Sequence, residues 1–196
     1  MATKKHNKYA IIVLAAGASR RLGRPKQLVR IGDETLLSKT IKNSTRIDNS
    51  DTYVILGAYS REITDTLHAD INILTNPNWK NGMGNSISFG IKKILPYDYN
   101  AVILTVCDQP FLTDTHFKQL IESYENDKRF NIIISKYTTG KGPPSLFDSY
   151  YFDQLSTLDG DVGAKSIISE NDSNVGCIDF YKGHIDIDED KDLVHF

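Results

Sequence analysis

YAIIVLAAGASRRLGRPK, residues Tyr9 to Lys26, decides how this chain is read. Its opening, Tyr9–Leu14, is a near-continuous apolar run rich in β-branched side chains, the pattern of a strand covered on both faces. Small residues follow at once, Leu14-Ala15-Ala16-Gly17-Ala18-Ser19. They let a backbone come close to a ligand, and ligands in an open α/β sheet sit beyond the carboxyl ends of the strands. Free N–H groups in such a loop cradle phosphate oxygens. The loop has no G-x-G-x-x-G and no Lys-Ser/Thr after its second glycine, so it is neither of the two common phosphate loops. Instead Arg20, Arg21, Arg24 and Lys26 fall within seven residues. Arginine offers a planar fork to phosphate and lysine a point charge, a combination suited to a polyphosphate. A solvated charge run is the plainer alternative; the position directly after the first strand weighs against it.

Working outward, Thr52–Leu56, Ile71–Leu74, Ala101–Val106 and Asn131–Ser135 read as further buried strands. Helical spacing lies between them: Leu37, Ile41 and Ser44; Ile87, Gly90, Ile91 and Ile94, closed by Pro96; and Phe117, Leu120, Ile121 and Tyr124 behind Thr113 as N-cap. Strands alternating with helices predict right-handed βαβ units. The expected fold class is α/β: a three-layer α/β/α arrangement with a doubly wound, mostly parallel sheet, as one domain over residues 1–196. Thr138–Ser145 (TTGKGPPS) reads as a loop by composition, and short strands are expected near Gly176–Tyr181 and His184–Ile187. Tyr97, Tyr99, Tyr150 and Tyr151 read as packing residues.

Composition bounds the function. The chain has 196 residues, 40% of them hydrophobic, enough for an ordinary core. Its 23 Lys+Arg against 25 Asp+Glu leave a net charge of −2, which argues against a nucleic-acid binder with a broad basic face. No apolar run approaches the roughly 18 residues of a membrane span, and MATKKHNK is not followed by a signal-peptide core. Cys107 and Cys177 make no metal or redox spacing, so a reduced cytoplasm is the expected setting. His6, His68, His116, His184 and His195 form no zinc or triad spacing.

Two acidic points remain. Asp108 ends the strand Ala101–Val106 and so faces the crevice of the glycine loop. Mg²⁺ takes one or two carboxylates with substrate phosphates and water, so Asp108 is a candidate ligand; a turn aspartate beside Pro110 is the alternative. In His184-Ile185-Asp186-Ile187-Asp188-Glu189-Asp190 the alternation places Asp186 and Asp188 on one face of a strand. They either complete a metal site with Asp108 or form a solvated acidic tail; the glycine and glutamate of a calcium loop are missing.

Together these residues resemble the molybdenum-cofactor nucleotidyltransferases. LAAGASRRLGRPK, Leu14 to Lys26, is similar to their L-A-[AG]-G-x-S-x-R-[ML]-G-x-x-K signature, with Leu22 at the usual methionine. Asn81–Ile87 resembles their G-M-x-x-S-[LI] segment, Cys107–Pro110 their D-x-P motif, Gly142–Phe147 their G-x-P-x-x-F element, Leu158–Lys165 their G-D-x-G-A-[RK] element, and Asp186–Asp188 their closing D-I-D. This order resembles the molybdopterin cytidylyltransferase branch, which includes accessory proteins of xanthine dehydrogenase. The resemblance implies a Rossmann-like fold of the nucleotide-diphospho-sugar transferase type. It also implies Leu14, Ala15, Ala16, Gly17, Ser19, Gly82 and Ser86 at the nucleotide, and Arg21 and Lys26 on the triphosphate. Asp108 and Asp188 would hold Mg²⁺, with Asp186 the alternative to Asp188. Pro144, Gly160 and Asp161 would lie on the acceptor side. Ala16, where the guanylyl branch has a second glycine, favours CTP, and Pro143 stands where many relatives have histidine. The implied partners are CTP or another NTP, a molybdopterin-type phosphate, and a molybdoenzyme client.

The implied reaction is attack by a phosphate monoester on the α-phosphorus of an NTP with release of pyrophosphate. The monoester's second pKa is about 6, so it is dianionic at neutral pH and needs no catalytic histidine. The obstacle is anion meeting anion, which cations and positioning relieve. Rival readings are a transferase acting on a sugar phosphate or another phosphorylated alcohol, an oxidoreductase, and a non-enzymatic carrier of finished cofactor. The isoprenoid cytidylyltransferases share the Pro25-Lys26-Gln27 pattern, and the absent dinucleotide fingerprint weighs against the oxidoreductase.

Overall fold

The computed structural model describes residues 7–67 and 71–195; His6 and His68, named above, lie outside them. In chain order the elements are β1 (Tyr9–Ala15), β2 (Arg30–Ile31), β3 (Glu34–Thr35), α1 (Leu36–Ser44), β4 (Ser50–Leu56), α2 (Ser60–Thr64), β5 (Asn72–Thr75) and α3 (Met83–Ile94). Then follow β6 (Ala101–Val106), α4 (Asp114–Asn126), β7 (Ile132–Tyr137), β8 (Gly140–Asp148), α5 (Phe152–Ser156), α6 (Lys165–Glu170) and β9 (Val175–Asp179).

Seven strands form one sheet in the order β5-β4-β1-β6-β8-β7-β9. Every neighbouring pair is parallel except those of β8, which runs antiparallel to both β6 and β7. Alternate side chains feed opposite faces. Ala10, Ile12, Tyr53, Ile55, Val102 and Leu104 pack with Ile87, Ile91 and Ile94 of α3 and with Phe152 and Leu155 of α5. Ile11, Ala101 and Ile103 pack on the other face with Phe117, Leu120 and Tyr124 of α4. Val13, Val54 and Leu56 meet Leu37 and Ile41 of α1. The three-layer, mostly parallel α/β sheet expected from the alternation is therefore the observed fold. No helix among the described residues is long and apolar enough to cross a membrane.

The helices start and stop for local reasons. Thr35 and Ser38 cap α1 reciprocally, each side chain accepting the other's backbone N–H. Thr113 occupies the N-cap of α4 but its side chain makes no capping bond; Asp114 in the first turn pairs with Lys118 at 2.8 Å. Helix α3 stops at Ile94, two residues before Pro96. Tyr99 and Tyr151 are buried, whereas Tyr97 and Tyr150 are exposed, so packing accounts for only two of the four tyrosines.

Two expectations are corrected. Thr138–Ser145 is not a loop: it turns at 138–139 and becomes β8, whose backbone pairs with both β6 and β7. Pro143 and Pro144, which cannot serve both ladders, sit where the register against β7 shifts between Ile134 and Ser135. His184–Ile187 is not a strand either. Residues 181–184 form a turn and the chain then runs irregularly to a 3₁₀ segment, Asp190–His195. The Ile–Asp alternation arises because Ile187 is a plug, fully buried against Leu22, Val29 and Leu36.

Candidate active site

The loop after β1 is shaped from inside. Ser19 adopts a left-handed conformation (φ 49°). Its carbonyl accepts the N–H groups of Leu22 and Gly23, and its Oγ accepts the N–H of Lys26 at 3.0 Å. Leu22 anchors the far side in the Ile187 cluster. Beneath the loop lies Gln27, almost wholly buried, whose amide nitrogen donates to the carbonyls of Ala15 (2.7 Å) and Gly17 (3.0 Å). Both its hydrogens hold the glycine loop, and its Oε1 has no partner among the described residues. Sequence reading assigned Gln27 no role; its neighbours in the Pro-Lys-Gln triplet carried the visible charge.

Because β1 and β6 are adjacent parallel strands, their carboxyl ends lie side by side, and Asp108 meets the loop there. The tail is pinned to the same point: the Ile187 N–H donates to the Asp108 carbonyl at 3.0 Å. That plug delivers Asp188. Lys26 Nζ then lies 2.6 Å from Asp108 Oδ2 and 2.6 Å from Asp188 Oδ1. Arg21 takes the other oxygen of Asp188 at 2.5 Å, and Arg24 pairs with Asp190 at 2.7 Å. Burial pulls the Lys26 ammonium towards neutrality, but the charge and hydrogen bonds of Asp108 and Asp188 outweigh it and hold the amine well above its ordinary pKa. Asp186 is pushed up, first by burial and then by the charges of Asp108 and Asp188. Cys107, beside Asp108, is pushed up to about 12 by burial, so it is no nucleophile.

A cavity of about 420 Å³ opens in front of the loop. Leu14, Ala15, Ala16, Gly17, Lys26 and Asp108 line it together with Gly82, Ser86 and Asp161. Gly82 has φ +103°, and a side chain there would run into the Gly160 backbone and Asp161 Oδ1 at about 2.5 Å. The Gly84 N–H donates to the Gly160 carbonyl at 2.7 Å, locking the start of α3 to the 160 loop. A second cavity of about 550 Å³ shares Leu14, Met83, Val106 and Asp161 with the first. Ile87, Leu104, Ile134 and Phe147 give it an apolar floor, with Lys141 and Lys165 in its wall.

A family model describing the MobA-like NTP transferase domain matches residues 11–175. The chain belongs to this family. It is a nucleotidyltransferase of the MobA-like type. The purine catabolism protein PucB of Bacillus subtilis (strain 168) is 25% identical over 185 residues, spanning 85% of this chain and 83% of PucB. The crystal structure of Rv0371c from Mycobacterium tuberculosis superposes with a TM-score of 0.85, 23% identity and 97% coverage of both chains. Its complex with manganese superposes at 0.79 with 21% identity, covering 96% of this chain and 97% of that one. A CMP:2-keto-3-deoxy-manno-octonic acid synthetase complexed with CTP superposes at 0.74 with 9% identity and 95% coverage of both. At these identities the structures report the shared fold.

Within this MobA-like chain the residues picked from sequence are not all alike. Leu14, Ala15, Ala16, Gly17, Lys26, Gly82, Ser86 and Asp108 face one cavity. Arg21 stands outside the residues lining it and reaches the site through Asp188. Ser19 is scaffold, turned into the loop. Asp161 borders both cavities, while Gly160 acts through its backbone on Gly84. Pro144 is buried with its carbonyl accepting from Ser135 Oγ, and its neighbour Pro143 lines the second cavity instead. Asp108 and Asp188 present oxygens to a single nitrogen, the donor chemistry a hard divalent cation uses. Among the described residues no three His, Cys, Asp or Glu side chains form a complete ligand set. Two carboxylates completed by phosphate and water is the arrangement typical of Mg²⁺.

Proposed function

We propose that this chain transfers CMP from CTP to the phosphate of molybdopterin, in a reaction dependent on Mg²⁺, and releases pyrophosphate. The observation that carries the reading is the contact of Lys26 with both Asp108 and Asp188 at the mouth of the glycine-loop cavity. The backbone from Leu14 to Gly17, held by Gln27, receives the nucleotide in the cavity that Gly82 and Ser86 also line. Lys26, kept protonated, supplies positive charge to the triphosphate and to the leaving pyrophosphate. Arg21 orients Asp188 and adds charge behind it. Asp108 and Asp188 would hold the divalent cation, which supplies charge neutralisation and alignment of phosphate oxygens.

The acceptor lies in the second cavity, Asp161 marking the border between the two substrates. Its apolar floor suits the flat ring system of a pterin better than a sugar, whose hydroxyls would lose hydrogen bonds to water there. Pyrophosphate release with Mg²⁺, each of CTP, GTP, ATP and UTP, and either molybdopterin or a sugar phosphate tests this directly. Fastest turnover with CTP and molybdopterin is expected. Faster turnover with the sugar phosphate would replace the acceptor. Stable binding of finished cofactor without any turnover would make the chain a carrier.

A further inference from the structure

Lys26 and a divalent cation compete for the same two oxygens. Asp108 Oδ2 and Asp188 Oδ1 each lie 2.6 Å from the Lys26 ammonium, and all three side chains are less than a quarter exposed. The groups around this ammonium are each held by a further bond of their own. The Lys26 N–H is tied to Ser19 Oγ, Asp108 is tied by its carbonyl to Ile187, and Asp188 keeps Arg21 on its other oxygen. The lysine stem, four flexible carbons long, is the part free to turn, and Lys26 already lines the glycine-loop cavity. Asp108, Asp186 and Asp188 set three carboxylates against two cations, Lys26 and Arg21. A doubly charged ion therefore matches the cluster better than the ammonium does.

We propose that Lys26 is an exchangeable internal counter-ion: a divalent cation entering at Asp108 and Asp188 displaces its ammonium, which turns into the glycine-loop cavity and meets the nucleotide's phosphates there. The inference rests on the metal reading given above. It makes metal and nucleotide loading one coupled event, because the metal frees the charge that the triphosphate uses. It also means that metal alone binds against an incumbent.

Mn²⁺ titration followed by electron paramagnetic resonance tests this on the wild-type chain, Lys26→Met, Lys26→Gln and Asp108→Asn, with circular dichroism checking each fold. Removing the incumbent charge is expected to tighten Mn²⁺ binding at least roughly tenfold in both Lys26 variants, and Asp108→Asn is expected to lose it. In parallel, amine-reactive labelling of Lys26 in the wild-type chain, read by peptide mass spectrometry, is expected to speed up when Mn²⁺ is added. Lys26 variants that bind Mn²⁺ no more tightly overturn the exchange while leaving the metal site intact. Mn²⁺ binding indifferent to Asp108→Asn overturns both. If the Lys26 variants do not fold, the wild-type labelling decides: a rate unchanged or slowed by Mn²⁺ contradicts the exchange.

Discussion

Asp108→Asn and Lys26→Ala are each expected to lower nucleotidyl transfer by roughly 10²–10³-fold, the loss typical of removing one group aimed at developing transition-state charge. The two substitutions act on the same contact from opposite sides. Asparagine keeps the shape of Asp108 but removes the charge that holds Lys26 at 2.6 Å and that would face the divalent cation. Alanine at 26 removes the one loop cation that touches both carboxylates. Because Lys26 and Asp108 are each mostly buried, deleting Lys26 leaves Asp108 without its cation and deleting the Asp108 charge leaves Lys26 on Asp188 alone, so part of any loss belongs to stability. Thermal melting separates the parts. A folded variant with lost kcat supports the charge role, whereas near-native turnover by either folded variant removes that residue from the mechanism.

A second large effect concerns stability against pH. His116 is buried between α4 and the sheet, stacked on Phe180 at 4.5 Å. Ser135 Oγ gives its own hydrogen to the Pro144 carbonyl at 2.6 Å, so the imidazole Nε2 at 2.8 Å is the donor to that oxygen. Burial depresses its pKa to about 4. The unfolded chain binds a proton near pH 6.5 and the folded one does not until about pH 4. The stabilisation is thus complete above pH 6.5 and is lost as the pH falls towards 4, on the order of 3 kcal/mol in all. Urea unfolding at pH 7.5 and pH 4.5 should show a markedly smaller loss for His116→Gln than for the wild type, with carboxylate contributions common to both. Equal losses in the two proteins would show that His116 is not held neutral.

What the sequence made legible follows from physics. The central strands announced themselves because both faces are buried, leaving β-branched runs such as Tyr9–Leu14 and Ala101–Val106. Their register placed the glycine loop and Asp108 together at one end of the sheet. Strand β8 stayed hidden because its first half is Gly, Lys and Pro, and pairing with two neighbours is a tertiary event that composition does not record. The tail misled for the opposite reason: alternation of Ile and Asp imitates a strand, yet a single plug, Ile187, produces the same facing of side chains. Asp188 was reached through its resemblance to a motif, since nothing in local spacing connects it to Lys26, 162 residues away. Gln27 appeared only as part of the Pro25-Lys26-Gln27 pattern, and its role was not legible because it is an uncharged residue whose partners are backbone carbonyls. The resemblance assigned Asp161 to the acceptor side alone, whereas it borders both cavities.

The proposed mechanism brings phosphate, lysine and divalent cation to one place. A crystal grown with CTP and Mn²⁺, with anomalous scattering recorded for manganese, tests it most directly. The predicted result is a manganese peak between Asp108 and Asp188, the triphosphate along residues 16–26 and Lys26 on its phosphate oxygens. Manganese bound elsewhere, or a nucleotide seated away from the glycine loop with Lys26 still bridging the two aspartates, would contradict it.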